Sequence, residues 1–516
     1  MTQVLTQSGW VEGQSRDQHV VFRGIPFAQP PVGRLRFRAP EPPEPWPGVH
    51  LAHRFGPSAT QRAPTAVMNS VPEPRSEDCL YLNVYTPAAD WKGRPVLFWV
   101  HGGGFNFGAG SEPLYDGAHL AERGDVVVVT INYRLGALGF LYLPEPDRKR
   151  LEITANAGLL DQIAALRWVR DNIAAFGGNP DDVTLMGESA GAYSVGMLLG
   201  MPLARGLFHK AVAQSGARFS RIAGDPARGT YALLKALEIP QDSLEALWDV
   251  PAERFVSAQL AVARSSESAL NDISAFAPLY DADTVPLPLE EAFARGQGAN
   301  VPLMLGTTRD EINLFLGSAV KKFDEPLEDS ELHERLQRVA LGADEARIRG
   351  LVETYRRSRI EHGLPASSRA LQAAITSDAL WRVPNERFME AYRAHQPATF
   401  LYLFTYESPG MRGALRACHA LDLPFMFGTW GGPNQERFAG TGEHVRALSE
   451  RMMDAWLAFA KNGDPSLPEA FGGRWPAYDD ERRPTMVFDV TSELQLAPYE
   501  SERAAWHGVT PRALIG

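Results

Sequence analysis

Gly187-Glu188-Ser189-Ala190-Gly191 sets one serine two positions from a glycine on either side. A lone serine hydroxyl is a weak nucleophile, but a sharp strand-to-helix turn would lift Ser189 clear of its neighbours. Such a turn needs the two glycines, because a Cβ there would strike the adjacent strand or helix. Upstream, His101-Gly102-Gly103-Gly104-Phe105 offers backbone N–H groups that no side chain crowds, the donor set that stabilises the alkoxide of a tetrahedral intermediate. Gly103 and Gly104 are the expected donors, with the N–H of Ala190 as a third. The chemistry open to these residues is acyl transfer through a serine. The competing readings are a plain glycine turn at 187–191 and a flexible loop or a phosphate cradle at 101–105. A cradle would show Gly-x-Gly-x-x-Gly or a following Lys-Ser/Thr, and neither is present.

Serine requires an imidazole base, and the imidazole a carboxylate that fixes its tautomer. For a nucleophile elbow the chain order is Ser, then Asp or Glu, then His, each partner just beyond a strand. Glu311 closes Gly306-Thr-Thr-Arg-Asp-Glu311, after the apolar run 301–305, and His419 lies in Ala417-Cys-His-Ala420, after the run 400–404. Asp310 competes for the acid role, since sequence alone does not separate adjacent carboxylates.

The elements that must position these residues show in the apolar pattern. Val96–Val100, Val126–Ile131 and Val183–Met186 are β-branched or apolar runs without polar alternation, the mark of strands covered on both faces. Leu159, Ile163, Leu166, Val169, Ile173 and Phe176 recur at three- and four-residue steps and predict a helix that Gly177-Gly178 ends. A small-residue helix is predicted over Ala190–Leu199, and further strands at Ala211–Gln214, Val301–Leu305 and Phe400–Phe404. Strands alternating with helices argue for an α/β fold with a mostly parallel sheet. The charge-rich stretch 325–360, with Glu325, Glu328, Glu331, Glu334, Arg335 and Arg338, reads as solvated helices.

On these residues the chain resembles the type B carboxylesterase/cholinesterase family of α/β-hydrolases, from about residue 4 to about residue 480. The likeness is carried by Phe22-Arg-Gly-Ile-Pro-Phe-Ala-Gln-Pro-Pro-Val-Gly33, Ser76-Glu-Asp-Cys-Leu-Tyr-Leu-Asn83, the His101–Phe105 loop, Asn156-Ala-Gly-Leu-Leu-Asp-Gln162, Phe176-Gly-Gly-Asn-Pro180 and Gly187–Gly191. Later, His419-Ala-Leu-Asp-Leu-Pro-Phe-Met-Phe-Gly428 and Trp456-Leu-Ala-Phe-Ala-Lys-Asn-Gly-Asp-Pro465 match too. The resemblance implies an α/β-hydrolase fold, a large central sheet flanked by helices, in one domain over 1–516 with helical insertions near 220–295 and 320–395. It implies Ser189 as nucleophile, Glu311 as acid, His419 as base, and Gly103, Gly104 and Ala190 as the oxyanion hole.

The expected function is that of a serine carboxylesterase acting on short- to medium-chain acyl or aryl esters through an acyl-enzyme. It needs no metal or organic cofactor, and its partner is a small-molecule ester. An amidase or carbamate hydrolase would use the same triad, and the family also holds binding proteins that have lost the nucleophile. Ile312 and Ala420 stand where members commonly have glycine. Cys79 matches a disulfide cysteine of secreted members, yet no cysteine lies upstream of it. Between Phe55 and Ser76 there is no Trp to stack a choline, which argues against choline esters. Phe105, Phe107, Phe425 and Phe427 flank the motifs as pocket wall or as plain core.

Composition excludes other classes. The 44% apolar and 22% charged shares are those of an ordinary globular chain, so disorder and coiled coil are set aside. The net charge of −11 repels nucleic-acid phosphates. Two cysteines in 516 residues form neither a disulfide framework nor a zinc site. No apolar run approaches the ~20 residues of a membrane span, and the N-terminus lacks a basic patch followed by an apolar core. A cytoplasmic monomer or small homo-oligomer is expected.

Overall fold

The computed structural model describes residues 2–62, 74–217, 227–264, 276–316, 325–469 and 473–511. The chain divides into two compact units, one of Met1–Val212, Phe219–Val301 and Ile515–Gly516, the other of Ala213–Arg218 and Pro302–Leu514.

The first unit is built on strands β1 (Val20–Pro26), β2 (Tyr81–Thr86), β3 (Arg94–Val100), β4 (Val127–Ile131) and β5 (Gly178–Glu188). The valine-rich β4 is buried at every residue, as a strand covered on both faces must be. β3 pairs parallel with both β4 and β5, β4 antiparallel with β2, and β2 antiparallel with β1. Val100 is opposite Ile131 on one side and Gly187 on the other. His101 and Glu188 therefore leave the sheet from the same carboxyl edge, where open α/β sheets bind their ligands.

The helix Ala157–Asn172 lies where the periodicity places it, with Leu159, Ile163, Leu166 and Val169 fully buried. A short 3-10 turn, Ile173–Phe176, ends at Gly177, whose φ of 86° suits glycine. Helix Ala190–Gly200 is buried at all 11 residues, and strand β6 (Lys210–Gln214) follows it. In the predicted insertion near 220–295, helices Arg228–Leu237, Ala252–Arg264 and Leu289–Ala294 are formed, while 218–226 and 265–275 lie outside the described residues.

In the second unit β7 (Leu303–Thr308) pairs parallel with β8 (Thr399–Phe404), β8 parallel with β9 (Pro484–Phe488), and β9 antiparallel with β10 (Glu493–Leu496). The stretch 325–360 forms helices Asp329–Gln337 and Glu345–Glu361, and 317–324 lies outside the described residues. Their charges form exposed pairs one turn apart, Glu331 with Arg335, Glu334 with Arg338 and Glu345 with Arg349, worth little each. Leu332, Leu336, Ile348, Leu351 and Tyr355 on the opposite faces join a core with Leu371, Ile375 and Trp506. Burial of that stripe holds these helices.

Within the first unit, helix Ala157–Asn172 is tied down by a buried ion pair. Arg134 Nε and Nη2 donate to Asp161 at 2.8 and 2.6 Å, and the Arg134 backbone N–H adds a third bond at 3.0 Å. Both side chains are almost wholly buried. Removing one partner strands the other charge, so Asp161→Ala is expected to lower stability by about 3–5 kcal/mol. The readout is the midpoint of urea denaturation, and a well-packed Arg134→Met/Asp161→Leu variant should recover most of the loss.

Candidate active site

Ser189 sits between the end of β5 and the first residue of helix Ala190–Gly200, with φ 53° and ψ −121°. A non-glycine residue held there costs about 1–3 kcal/mol, and the neighbours impose it. A Cβ on Gly187 would lie 2.5 Å from the Gly191 carbonyl, and one on Gly191 only 2.1 Å from the Val100 carbonyl oxygen. The helix start is thus pressed against the end of β3. Ser189 stays half-exposed while Ala190 is buried, and the helix N-terminus adds partial positive charge beneath the serine.

The glycine loop after β3 is pinned peptide by peptide on its carbonyl side. Tyr133 Oη donates to the His101 carbonyl at 2.9 Å, His101 Nδ1 to the Gly102 carbonyl at 2.8 Å, and the Asn106 and Phe107 N–H groups to the Gly103 carbonyl at 3.0 and 3.1 Å. In a trans peptide the N–H points away from the C=O. Fixing the Gly102 and Gly103 carbonyls therefore aims the N–H groups of Gly103 and Gly104. Among the described residues no hydrogen bond takes up the N–H of Gly103, Gly104 or Ala190. Gly103 has φ 106°, and a Cβ there would lie 2.0 Å from the Phe107 carbonyl oxygen. The His101 ring stacks on Tyr133 at 4.5 Å. Burial pushes its pKa down to about 4, against a smaller opposite pull from the Gly102 carbonyl, so it is neutral near pH 7 and donates from Nδ1.

Two carboxyl groups that sequence reasoning passed over lie under this loop. Glu188, the variable residue of the serine motif, has Oε2 2.7 Å from where a Gly102 Cβ would sit. Glu112 accepts from Ala109 N–H at 3.1 Å. Burial pushes the Glu112 pKa up to about 8; the Ala109 bond opposes the shift and the Glu188 charge adds to it. A single Glu in a loop is ordinarily solvated, so nothing in its surrounding sequence marks it.

In the second unit His419 Nδ1 meets Glu311 Oε2 at 2.5 Å, and Thr308 N–H, at the end of β7, donates to Glu311 Oε1 at 2.8 Å. Both residues are buried. Asp310 faces elsewhere, towards Arg309 at 2.9 Å and Arg359 at 3.6 Å. Burial alone would raise its pKa, but the guanidinium groups outweigh it and hold the carboxyl below its ordinary value. The two adjacent carboxylates thus have different partners. Ala420 has φ 63°, the reason glycine is common at that position. Ile312 gives its N–H to Ser377 Oγ at 3.1 Å.

Two aromatic rings that the sequence does not bring together flank His419. Phe315 and Trp381 lie 5.1 and 5.4 Å from the imidazole and stack on each other at 5.5 Å. Trp381 sits on a π-helical turn, Asp378–Arg382, held by the Arg382–Asp378 pair, by Tyr355 Oη on Asp378 and by Glu502. Of the four phenylalanines that flank the motifs, Phe105, Phe425 and Phe427 are core, and Phe107 is half-buried. Residues 63–73, within the stretch free of Trp, lie outside the described residues. Cys79 and Cys418 are buried free thiols. Among the described residues no group of His, Cys, Asp or Glu is arranged to hold a metal, and no helix is long and apolar enough to cross a membrane.

A serine on a strand-to-helix elbow and a histidine held by a carboxylate beyond parallel strands are features of the α/β-hydrolase class. The chain belongs to the Carboxylesterase family, which residues 1–506 match. It is 38% identical over 501 residues to the para-nitrobenzyl esterase of Bacillus subtilis (strain 168), covering 97% of each chain. It is 35% identical over 511 residues to the phenmedipham hydrolase of Pseudarthrobacter oxydans, covering 95% of each. The crystal structure of the Geobacillus stearothermophilus carboxylesterase EST55 at pH 6.2 superposes with a TM-score of 0.84 at 38% identity, over 98% of this chain and 100% of that one. The α/β-hydrolase fold expected from the sequence is thereby established.

Glu112 yields a signed prediction. Its folded pKa of about 8 lies above the ordinary 4.5, so the native state binds the extra proton between those values and stability falls as pH rises through them. Glu112→Gln keeps the acceptor for Ala109 and removes the titration. Its melting temperature, relative to wild type, should climb from pH 5 to pH 8 and level off above; a pH-independent difference would refute the assignment.

Proposed function

We propose that this carboxylic ester hydrolase acts on short- to medium-chain acyl or aryl esters through an acyl-enzyme on Ser189. The observation that carries the reading is the strained Ser189 backbone, imposed by glycine contacts on both sides. Two others support it: the N–H groups of Gly103, Gly104 and Ala190, which no hydrogen bond takes up among the described residues, and the His419–Glu311 hydrogen bond. Nucleophile and oxyanion donors belong to the first unit, acid and base to the second, and hydrolysis needs all of them.

In the proposed reaction His419 carries its proton on Nδ1, facing Glu311, which leaves the Nε2 lone pair to accept the proton of Ser189 Oγ. Oγ bonds to the ester carbonyl carbon, and the carbonyl oxygen takes the negative charge opposite the three N–H groups. When the tetrahedral adduct collapses, the C–O bond to the alcohol breaks and His419 Nε2–H gives that alcohol its proton. Water then repeats the sequence on the acyl-enzyme, again deprotonated by His419, and releases the carboxylic acid. Protons and electron pairs balance without a metal or cofactor. The para-nitrobenzyl esterase relative supports an aryl or arylalkyl ester as substrate. The buried free thiols and the acidic surface support a cytoplasmic monomer or small homo-oligomer that binds neither nucleic acid nor membrane.

The test is hydrolysis of p-nitrophenyl esters from acetate to laurate by the wild type beside Ser189→Ala. The wild type should turn over the shorter esters and the variant should lose at least about 10⁴-fold in kcat. A folded wild type inactive on every ester, yet active on a p-nitroanilide or aryl carbamate, would move the assignment to an amidase or carbamate hydrolase.

The two adjacent carboxylates make a second, sharper test. Glu311→Gln, which removes the charge facing His419, should lower kcat by about 10³–10⁴-fold. Asp310→Asn should leave kcat within about threefold and act on stability through Arg309 and Arg359. Equal losses of kcat in the two variants would contradict the assignment of the acid.

A further inference from the structure

We infer that the paired carboxamides of Asn106 and Gln259 are a positioning device for the oxyanion loop, with Gln259 acting on the reaction through Asn106. The inference rests on the esterase reading. Its starting point is the turn Gly103–Asn106, closed by Asn106 N–H on the Gly103 carbonyl at 3.0 Å. Both central residues are left-handed, Gly104 at φ 60° and Phe105 at φ 61°. Gly104 adopts that conformation freely. Phe105 carries a Cβ and pays about 1–2 kcal/mol for it, so the turn relaxes if its Gly104–Phe105 peptide is free to rotate.

One hydrogen bond opposes that rotation directly, and a second holds the peptide that follows. Asn106 Nδ2 donates to the Gly104 carbonyl at 2.8 Å, and Gly136 N–H donates to the Phe105 carbonyl at 2.7 Å. The Asn106 amide is itself oriented, because its Oδ1 accepts from Gln259 Nε2 at 3.3 Å. Gln259 in turn accepts from Ala137 N–H at 3.0 Å on Oε1, which fixes its own amide. Reversing Asn106 would set its Oδ1 against the Gly104 carbonyl oxygen. Gly136 lies close against this amide, where a Cβ would come within 2.3 Å of Nε2, and its φ of 54° favours glycine. Gln259 is carried by helix Ala252–Arg264, 153 positions along the chain from Asn106. The glycine loop therefore takes its shape from a helix that supplies no reacting group. Neither side chain touches the reacting atoms. By holding the Gly104–Phe105 peptide they keep the turn that sets the Asn106 N–H on the Gly103 carbonyl, the bond that aims the Gly104 N–H, so they bear on the tetrahedral adduct and not on the bound ester.

The experiment compares wild type, Asn106→Ala, Asn106→Asp, Gln259→Ala and the Asn106→Ala/Gln259→Ala double variant on p-nitrophenyl acetate. Inhibition by an aryl trifluoromethyl ketone, which forms a tetrahedral adduct with a serine, is measured alongside. Losing an oxyanion donor outright costs about 10²–10³ in kcat, so a misaimed one should cost Asn106→Ala about 10–30-fold, with KM within about twofold. Affinity for the ketone should fall by the same factor while inhibition by acetate is unchanged. Asn106→Asp, nearly the same shape, should be no better than Asn106→Ala because an oxygen then faces the Gly104 carbonyl. Gln259→Ala should lose about threefold alone and nothing further in the Asn106→Ala background, the signature of two residues acting in series. Wild-type kcat and ketone affinity in both Asn106 variants would overturn the inference, as would losses at 106 and 259 that multiply. Gln259→Ala lies outside the loop and keeps the test sound if an Asn106 variant folds poorly. An inactive wild type sinks the esterase reading and this inference together, whereas an active wild type with fully active Asn106 variants overturns this inference alone.

Discussion

The first residues of helix Ala190–Gly200 lie so close to the end of β3 that a Cβ on Gly191 would sit 2.1 Å from the Val100 carbonyl oxygen. That approach decides most of what surrounds the serine. It demands glycine at 191, and the tight return of the chain demands glycine at 187. The turn between them forces Ser189 into a positive φ. Because β3 also launches the glycine loop, the same contact brings the Ala190 N–H to the strand edge that carries Gly103 and Gly104. Any residue larger than glycine at 191 would push the helix off the strand and take the Ala190 N–H with it.

In both units the carboxyl groups are distinguished by their partners and not by their type. Glu311 accepts from a backbone N–H and faces an imidazole. Asp310, its neighbour in sequence, faces two guanidinium groups. Glu112 has a backbone donor and a neighbouring carboxylate in a dry setting and keeps its proton near pH 7. Asp422, fully buried, accepts from Tyr402 Oη and Gln214 Nε2. In the proposed triad the acid is Glu311, whose surroundings leave it one task, to hold a histidine tautomer.

The elbow, the glycine loop and the strands that lead into them were legible in the sequence because their causes are local: glycines beside a serine, glycines after a strand, unbroken β-branched runs. Strand boundaries were less so. The run Val301–Leu305 predicts a strand that instead occupies Leu303–Thr308, since Pro302 lacks the N–H a strand needs while Gly306-Thr-Thr308 pairs with Tyr402–Phe404. The choice between Asp310 and Glu311 depended on where two adjacent side chains point, and Arg359, which takes Asp310, is far along the chain. Phe315, Trp381 and Gln259 were illegible for a related reason. Each meets the site across a long stretch of sequence, and Trp381 does so from a π-helical turn that no apolar period announces.

Helix Ala190–Gly200 has no solvent-facing side, being buried at all 11 residues. Its composition suits that place, with three glycines and two alanines that let other elements come close. A helix of this kind cannot fray or detach by itself, because any opening of its amides first requires the layers over it to part. Hydrogen exchange along this helix is therefore tied to cooperative opening of its surroundings and not to local breathing. The serine is carried at the start of a wholly buried helix, and whatever freedom substrates need on entering must come from the loops around it.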